Sequence, residues 1–112
     1  MLIDFWGTWC GPCVASVPAL IAAYEKYRAR GFEILSIDTG DTREKLQAFL
    51  VEKKISWTQT MEDEPGLIAS LFRITGRPSY FLIDRDGKIA MAAPNGAKFD
   101  LGAELAKLFA VK

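Results

Sequence analysis

Short apolar runs alternate with stretches of helical periodicity along the whole chain, and this alternation restricts the fold more than any other feature. Leu2 to Trp6 is an apolar run broken only by Asp4 and reads as a buried strand. Gly7-Thr8-Trp9-Cys10 is a turn. Val14, Val17, Leu20, Ile21, Tyr24 and Tyr27 then recur at helical spacing. Pro12 suits the first helical position, Pro18 should kink the helix, and Gly31 ends it. Phe32 to Ile37 is a second strand. Asp41 with Glu44 forms a capping box for a helix through Lys54, with Leu46, Phe49 and Leu50 inward. Ile55 to Trp57 reads as a short strand, and Pro65 starts a helix carrying Leu67, Ile68, Leu71 and Phe72. Gly76-Arg77-Pro78 is a loop. Tyr80 to Ile83, the turn Asp84-Arg85-Asp86-Gly87 and Lys88 to Ala92 form a hairpin, and Leu101 to Ala110 a final helix. The order βαβαβαββα predicts one α/β domain over residues 1–112, with helices on both faces of a mixed sheet that is parallel first and closed by an antiparallel hairpin.

Composition excludes several kinds of work. The 112 residues carry 14 basic and 14 acidic side chains, a net charge of zero, and no charge block. Neither nucleic acid nor an anionic membrane is indicated as a partner. No apolar run approaches the roughly 20 residues that cross a bilayer, and no basic segment opens a secretory signal. The chain has two cysteines and no histidine. Ser-His-Asp and Cys-His nucleophile systems therefore lack their base. A zinc site usually takes four Cys or His ligands, so the expectation is no metal and no cofactor.

Cys10 and Cys13 stand at a strand-to-helix junction with two residues between them. The thiolate is the reactive form of cysteine, and an unperturbed thiol has a pKa of about 8.5. Unpaired amides and the positive end of the helix dipole favour negative charge at Cys10. Cys10 is thus expected to be the acidic, attacking sulfur. Cys13, one turn deeper on the same side and shielded from water, would resolve the mixed disulfide. Two other readings remain. A structural disulfide is weak, because closing so short a loop stabilises little. A metal or cluster would need two chains to pool their cysteines.

Asp4-Phe5-Trp6-Gly7-Thr8-Trp9-Cys10-Gly11-Pro12-Cys13 resembles the active-site segment of thioredoxins. Phe81 to Ile89 and the extra helix and short strand at 41–57 resemble the extracytoplasmic TlpA/ResA-type branch of that superfamily. The resemblance covers nearly the whole chain and implies a thioredoxin fold. It also implies a thiol-disulfide oxidoreductase acting on protein disulfides. Gly11-Pro12 between the cysteines resembles the reducing members, which draw electrons from an upstream dithiol donor. The alternative is a binding module that uses the groove beside Pro78, with chemistry secondary. Peroxide reduction is not expected, because peroxidases of this fold place their reactive cysteine in a different motif. The implied address is the bacterial periplasm or extracytoplasmic face, with the cytoplasm as the alternative.

The same resemblance assigns residues around the dithiol. Asp4 matches a buried acid that moves a proton on or off the second cysteine; the competing reading is an exposed, idle strand-end carboxyl. TlpA-type proteins place a Glu three residues after the second cysteine, where this chain has Ser16. Pro78 matches a cis-proline, which would set the Arg77 backbone against the dithiol for pairing with an extended substrate. Arg77 departs from the family's small or β-branched residue. It is read either as a group that stabilises thiolate or selects acidic substrates, or as a solvated surface cation. Trp9 is expected to cover the dithiol or to pack in the core, and Trp6 to be core. Gly96 matches a glycine of the substrate groove or is merely a turn residue. Thioredoxins begin with a further strand and helix, so the chain is expected to be a fragment or a minimal version of a longer protein. The strand at 32–37 would then have an open edge, covered by residues 55–57 or used for a homodimer.

Overall fold

The computed structural model describes residues 1–63 and 66–110. Its elements are β1 (Leu2–Trp6), α1 (Gly11–Tyr27), a 3-10 turn (Arg28–Arg30), β2 (Ile34–Thr39), α2 (Arg43–Lys53), β3 (Thr58–Glu62), α3 (Leu67–Leu71), β4 (Ser79–Ile83), β5 (Ile89–Ala93) and α4 (Leu101–Leu108). The sheet order is β3-β2-β1-β4-β5. β1, β2 and β3 run parallel, while β4 is antiparallel to both β1 and β5. The mixed direction, parallel first and closed by an antiparallel hairpin, is the one that the pattern of apolar runs predicts.

Several boundaries differ from the expectation, each for a local reason. β2 starts two residues later than Phe32, which is buried ahead of the strand. The outermost strand β3 is Thr58–Glu62 instead of 55–57: Ile55 and Trp57 are apolar because they plug the core from the connection, whereas the strand itself is a polar edge. It pairs with β2 from Leu35 to Thr39, so β2 is bonded on both sides and offers no free edge to a second copy. Thr42, not Asp41, caps α2, its Oγ1 accepting from Lys45 N at 3.1 Å. α1 passes through Pro18 without ending, and Gly31 closes the following 3-10 turn at φ 96°. Leu67 and Leu71 are exposed on the short α3, where Ala69 makes the buried contact. The helix start expected at Pro65 lies outside the described residues.

Strand alternation divides the core into two layers. Ile3, Phe5, Ile37 and Phe81 face α3, packing with Ala69, Ile74 and Phe72. Leu2, Trp6, Ile34 and Leu82 face the other way, against Val17 and Leu20 of α1, Leu46 of α2 and Leu105 of α4. Across that second face runs one polar row. Gln59, Ser36, Asp4 and Tyr80 are successive partners on β3, β2, β1 and β4. Four polar side chains in register on an apolar face are costly unless they bond one another or serve chemistry.

Candidate active site

The turn after β1 delivers both cysteines to the start of α1. Cys10 is the N-cap residue with extended backbone (φ −94°, ψ 107°), and its Sγ accepts from the Cys13 amide at 3.3 Å. Gly11 and Pro12 open the helix and are exposed, whereas both cysteines are buried. The two are joined in a disulfide, with Cα atoms 5.2 Å apart. In this oxidised state Cys10 and Cys13 differ little in exposure, at 5% and 2%. What distinguishes them is the setting: Cys10 faces the helix N-terminus and Cys13 lies within the first turn.

Asp4 lies on β1 beneath α1 and is 3% exposed, so it is not an exposed strand-end carboxyl. Its Oδ2 accepts from Ser36 Oγ at 2.8 Å, and Ser36 in turn accepts from Trp57 Nε1 at 2.8 Å. Oδ1 has no hydrogen-bond partner among the described residues. Burial pushes Asp4 up to about 7, against the smaller opposing pull of Ser36. A carboxyl poised at that value can take up or release a proton near neutrality. Tyr80, its partner across β4, is pushed up to about 12 by burial and by the Asp4 charge, and so stays protonated. Ser36 and Trp57 carry no motif of their own. Only the β1–β2 register, which puts Ser36 opposite Asp4, would have pointed to them.

Trp9 is 53% exposed and does not pack in the core, which is where Trp6 sits. Its Nε1 donates to the Thr39 carbonyl at 2.6 Å. The indole lies so close to Gly7 and Gly40 that a Cβ at either position would overlap it. Thr8, just before it, gives its amide and hydroxyl to Asp41, at 2.8 and 2.5 Å. Sequence reasoning missed this anchor, reading Asp41 as a helix cap.

The Arg77–Pro78 peptide bond is cis. Arg77 is half-buried, and its Nη2 donates to Thr39 Oγ1 at 3.1 Å, so it is tied to the end of β2 and is not a freely solvated cation. Gly96 has φ 80°, and its amide donates to the Pro78 carbonyl at 2.8 Å. Asn95 Oδ1 accepts the amides of Thr75 and Gly76, both at 2.8 Å, and its own amide donates to Ser79 Oγ at 2.7 Å. The loop after β5 is thus stitched to the cis-proline loop. Asn95 was not singled out from sequence; the Asn-Gly pair, both residues at positive φ, was the available signal.

A five-stranded mixed sheet with a Cys-x-x-Cys disulfide at the start of its first helix and a cis-proline loop is a thioredoxin-like fold. The sequence profile of the AhpC/TSA family matches residues 1–92, and the chain belongs to that family. It is 33% identical over 89 residues to the thiol-disulfide oxidoreductase ResA of Bacillus thuringiensis subsp. konkukian, a match spanning 80% of this chain and 51% of the relative. The chain therefore spans about half the length of the curated relatives it matches. Among solved structures, a putative thiol:disulfide interchange protein DsbE from Chlorobium tepidum superposes with a TM-score of 0.76 at 31% identity, over 95% of this chain and 72% of that one. A thiol:disulfide interchange protein from Bacteroides sp. gives 0.79 at 28% identity, over 95% and 70%.

Proposed function

We propose that this chain is a thiol-disulfide oxidoreductase domain that passes two electrons from its reduced dithiol to disulfides in other proteins. The observation that carries the reading is the Cys10–Cys13 disulfide placed at the N-terminus of α1, the helix that packs on the sheet face carrying the buried Asp4. The names of the similar proteins support it. In the reducing direction Cys10 thiolate attacks a substrate disulfide. A Cys10–substrate disulfide forms and one substrate thiolate leaves. Cys13 then loses its proton and attacks Cys10 Sγ, which releases the second substrate thiolate and closes the internal disulfide. Asp4 accepts that proton, either directly or through solvent. An upstream dithiol donor restores the reduced pair.

Substrate backbone docks in extended form beside the cis bond preceding Pro78, flanked by Gly96 and Trp9. Arg77 holds a positive charge at that edge and favours acidic neighbours of the target disulfide. The resemblance to TlpA/ResA-type proteins supports work on the extracytoplasmic face. No helix among the described residues is long and apolar enough to cross a membrane.

The test is dithiothreitol-driven reduction of insulin. Wild type accelerates it and Cys10→Ser falls to the uncatalysed rate. Equal, weak activity in both proteins would leave only the binding-module reading.

A further inference from the structure

The end of β2 carries a second buried carboxyl that the thiol chemistry leaves without a task. Asp38 is fully buried and lies on the same sheet face as Asp4, and neither of its oxygens makes a well-formed hydrogen bond among the described residues; the Asp41 amide pulls on it only weakly. What faces it is another carboxyl, that of Asp41, in hydrogen-bond contact. Two carboxyls can share such a contact only when one of them carries a proton. Asp41 is the ionised member. Burial alone would raise it, but Asp38, both donors of Thr8, and Lys45 together hold it below the usual carboxylate range. Asp38 is the protonated member. Burial first, and Asp41 second, push it up to about 8 against the weaker pull of the Asp41 amide and Lys45.

Among the described residues, the charges that act on Asp38 are those of Asp41 and Lys45. Its partners on β1 and β3 are Trp6 and Met61. Lys45 of α2 is exposed and lies 4.0 Å from Asp41. Arg77 bonds Thr39, whose side chain alternates to the opposite face of the sheet.

We infer that Asp38 and Asp41 form a one-proton clamp on the Thr8–Trp9 turn, closed while Asp38 holds its proton and opened when Asp38 ionises. The inference rests on the dithiol reading only for what the turn serves, since Cys10 follows Trp9 directly. When Asp38 loses its proton, two buried anions face each other. Asp41, paired at 4.0 Å with exposed Lys45, is the member drawn away. Its withdrawal releases the amide and hydroxyl of Thr8. The turn then keeps only the Trp9–Thr39 bond and the indole's seat against Gly7 and Gly40. Asp41 and Asp38 are positioning residues; neither is required to touch substrate.

The oxidised protein isolates this titration. It has no histidine, and both cysteines are locked in the disulfide, which leaves Asp4, Asp38 and the terminal amine to ionise near neutrality. The experiment follows the Thr8 amide proton by NMR from pH 5 to 9 (about four pH units, enough to span both carboxyls). In wild type it should move upfield with a midpoint above neutrality. Asp38→Asn should abolish the step, and Asp4→Asn should leave it in place. The Asp38 carboxyl carbon of wild type gives the same midpoint directly, even where Asp38→Asn does not fold. A Thr8 amide that stays flat, a step that persists in Asp38→Asn, or an Asp38 carbon titrating near the ordinary value of about 3.9 would overturn the clamp. None of these readings depends on turnover, so a failed clamp and a failed enzyme reading are distinguishable.

Discussion

Cys13→Ser is expected to convert the protein from a catalyst into a trap. Cys10 keeps its place as N-cap and its amide environment, so the first attack on a substrate disulfide proceeds. The second step has no sulfur to perform it. Turnover should fall by roughly a hundredfold or more, as when one member of a unit of catalytic groups is removed. A covalent adduct of enzyme and substrate should accumulate, visible by intact mass and dissolved by added dithiothreitol. Cys10→Ser should form no adduct with the same substrate. Adduct formation through Cys13 in that variant would invert the assignment of the two sulfurs.

Asp4→Asn should change how stability depends on pH. Burial pushes the native carboxyl up to about 7, from an ordinary value of 3.8. Native protein therefore binds more protons than unfolded protein between those values, and stability falls as pH rises through the window. The gap of roughly three pH units corresponds to about 4 kcal/mol at most, because one unit is worth about 1.4 kcal/mol. Asn preserves the shape and can still accept from Ser36 Oγ. The variant should match wild type near pH 4 and exceed it by a few kcal/mol (about 2 to 4) near pH 8, as read by urea unfolding of the oxidised form. Asp38 gives a slope of the same sign in wild type and variant alike, so it cancels from the difference. Turnover should fall near neutrality, where the proton from Cys13 needs a base. A stability difference that is flat with pH would mean that Asp4 ionises as an ordinary carboxyl.

The layout of the fold was legible because apolar runs and helical spacing are local. They returned the alternation of strands and helices and the mixed sheet, while the outermost position of the strand after α2 came only as one option from the resemblance. The strand's residues were misread because apolar content was taken as the mark of pairing. Ile55 and Trp57 are buried by side-chain packing, while Thr58 to Glu62 supply the backbone ladder. At the site, Cys10, Cys13, Asp4 and Pro78 were legible from a compact motif and its resemblance. The supporting residues were not. Thr8 and Asp41 meet across 33 positions, and Ser36 and Asp4 across 32. Such pairs depend on register, which residue types alone leave undetermined. Asp41 shows the cost of reading locally. Next to Glu44 and an apolar helix face it looks like a cap, yet the adjacent Thr42 caps α2 and frees Asp41 for the active-site turn.

The central claim is that the amides at the start of α1 make Cys10 the more acidic of two neighbouring sulfurs. The direct measurement is the pH dependence of thiolate absorbance and of iodoacetamide alkylation in the reduced protein, with alkylation sites read by peptide mass. The account predicts that Cys10 reacts first and titrates clearly below the ordinary thiol value of about 8.5, with Cys13 above it. A Cys10 that titrates at or above that value, or a Cys13 that is alkylated first, would contradict it.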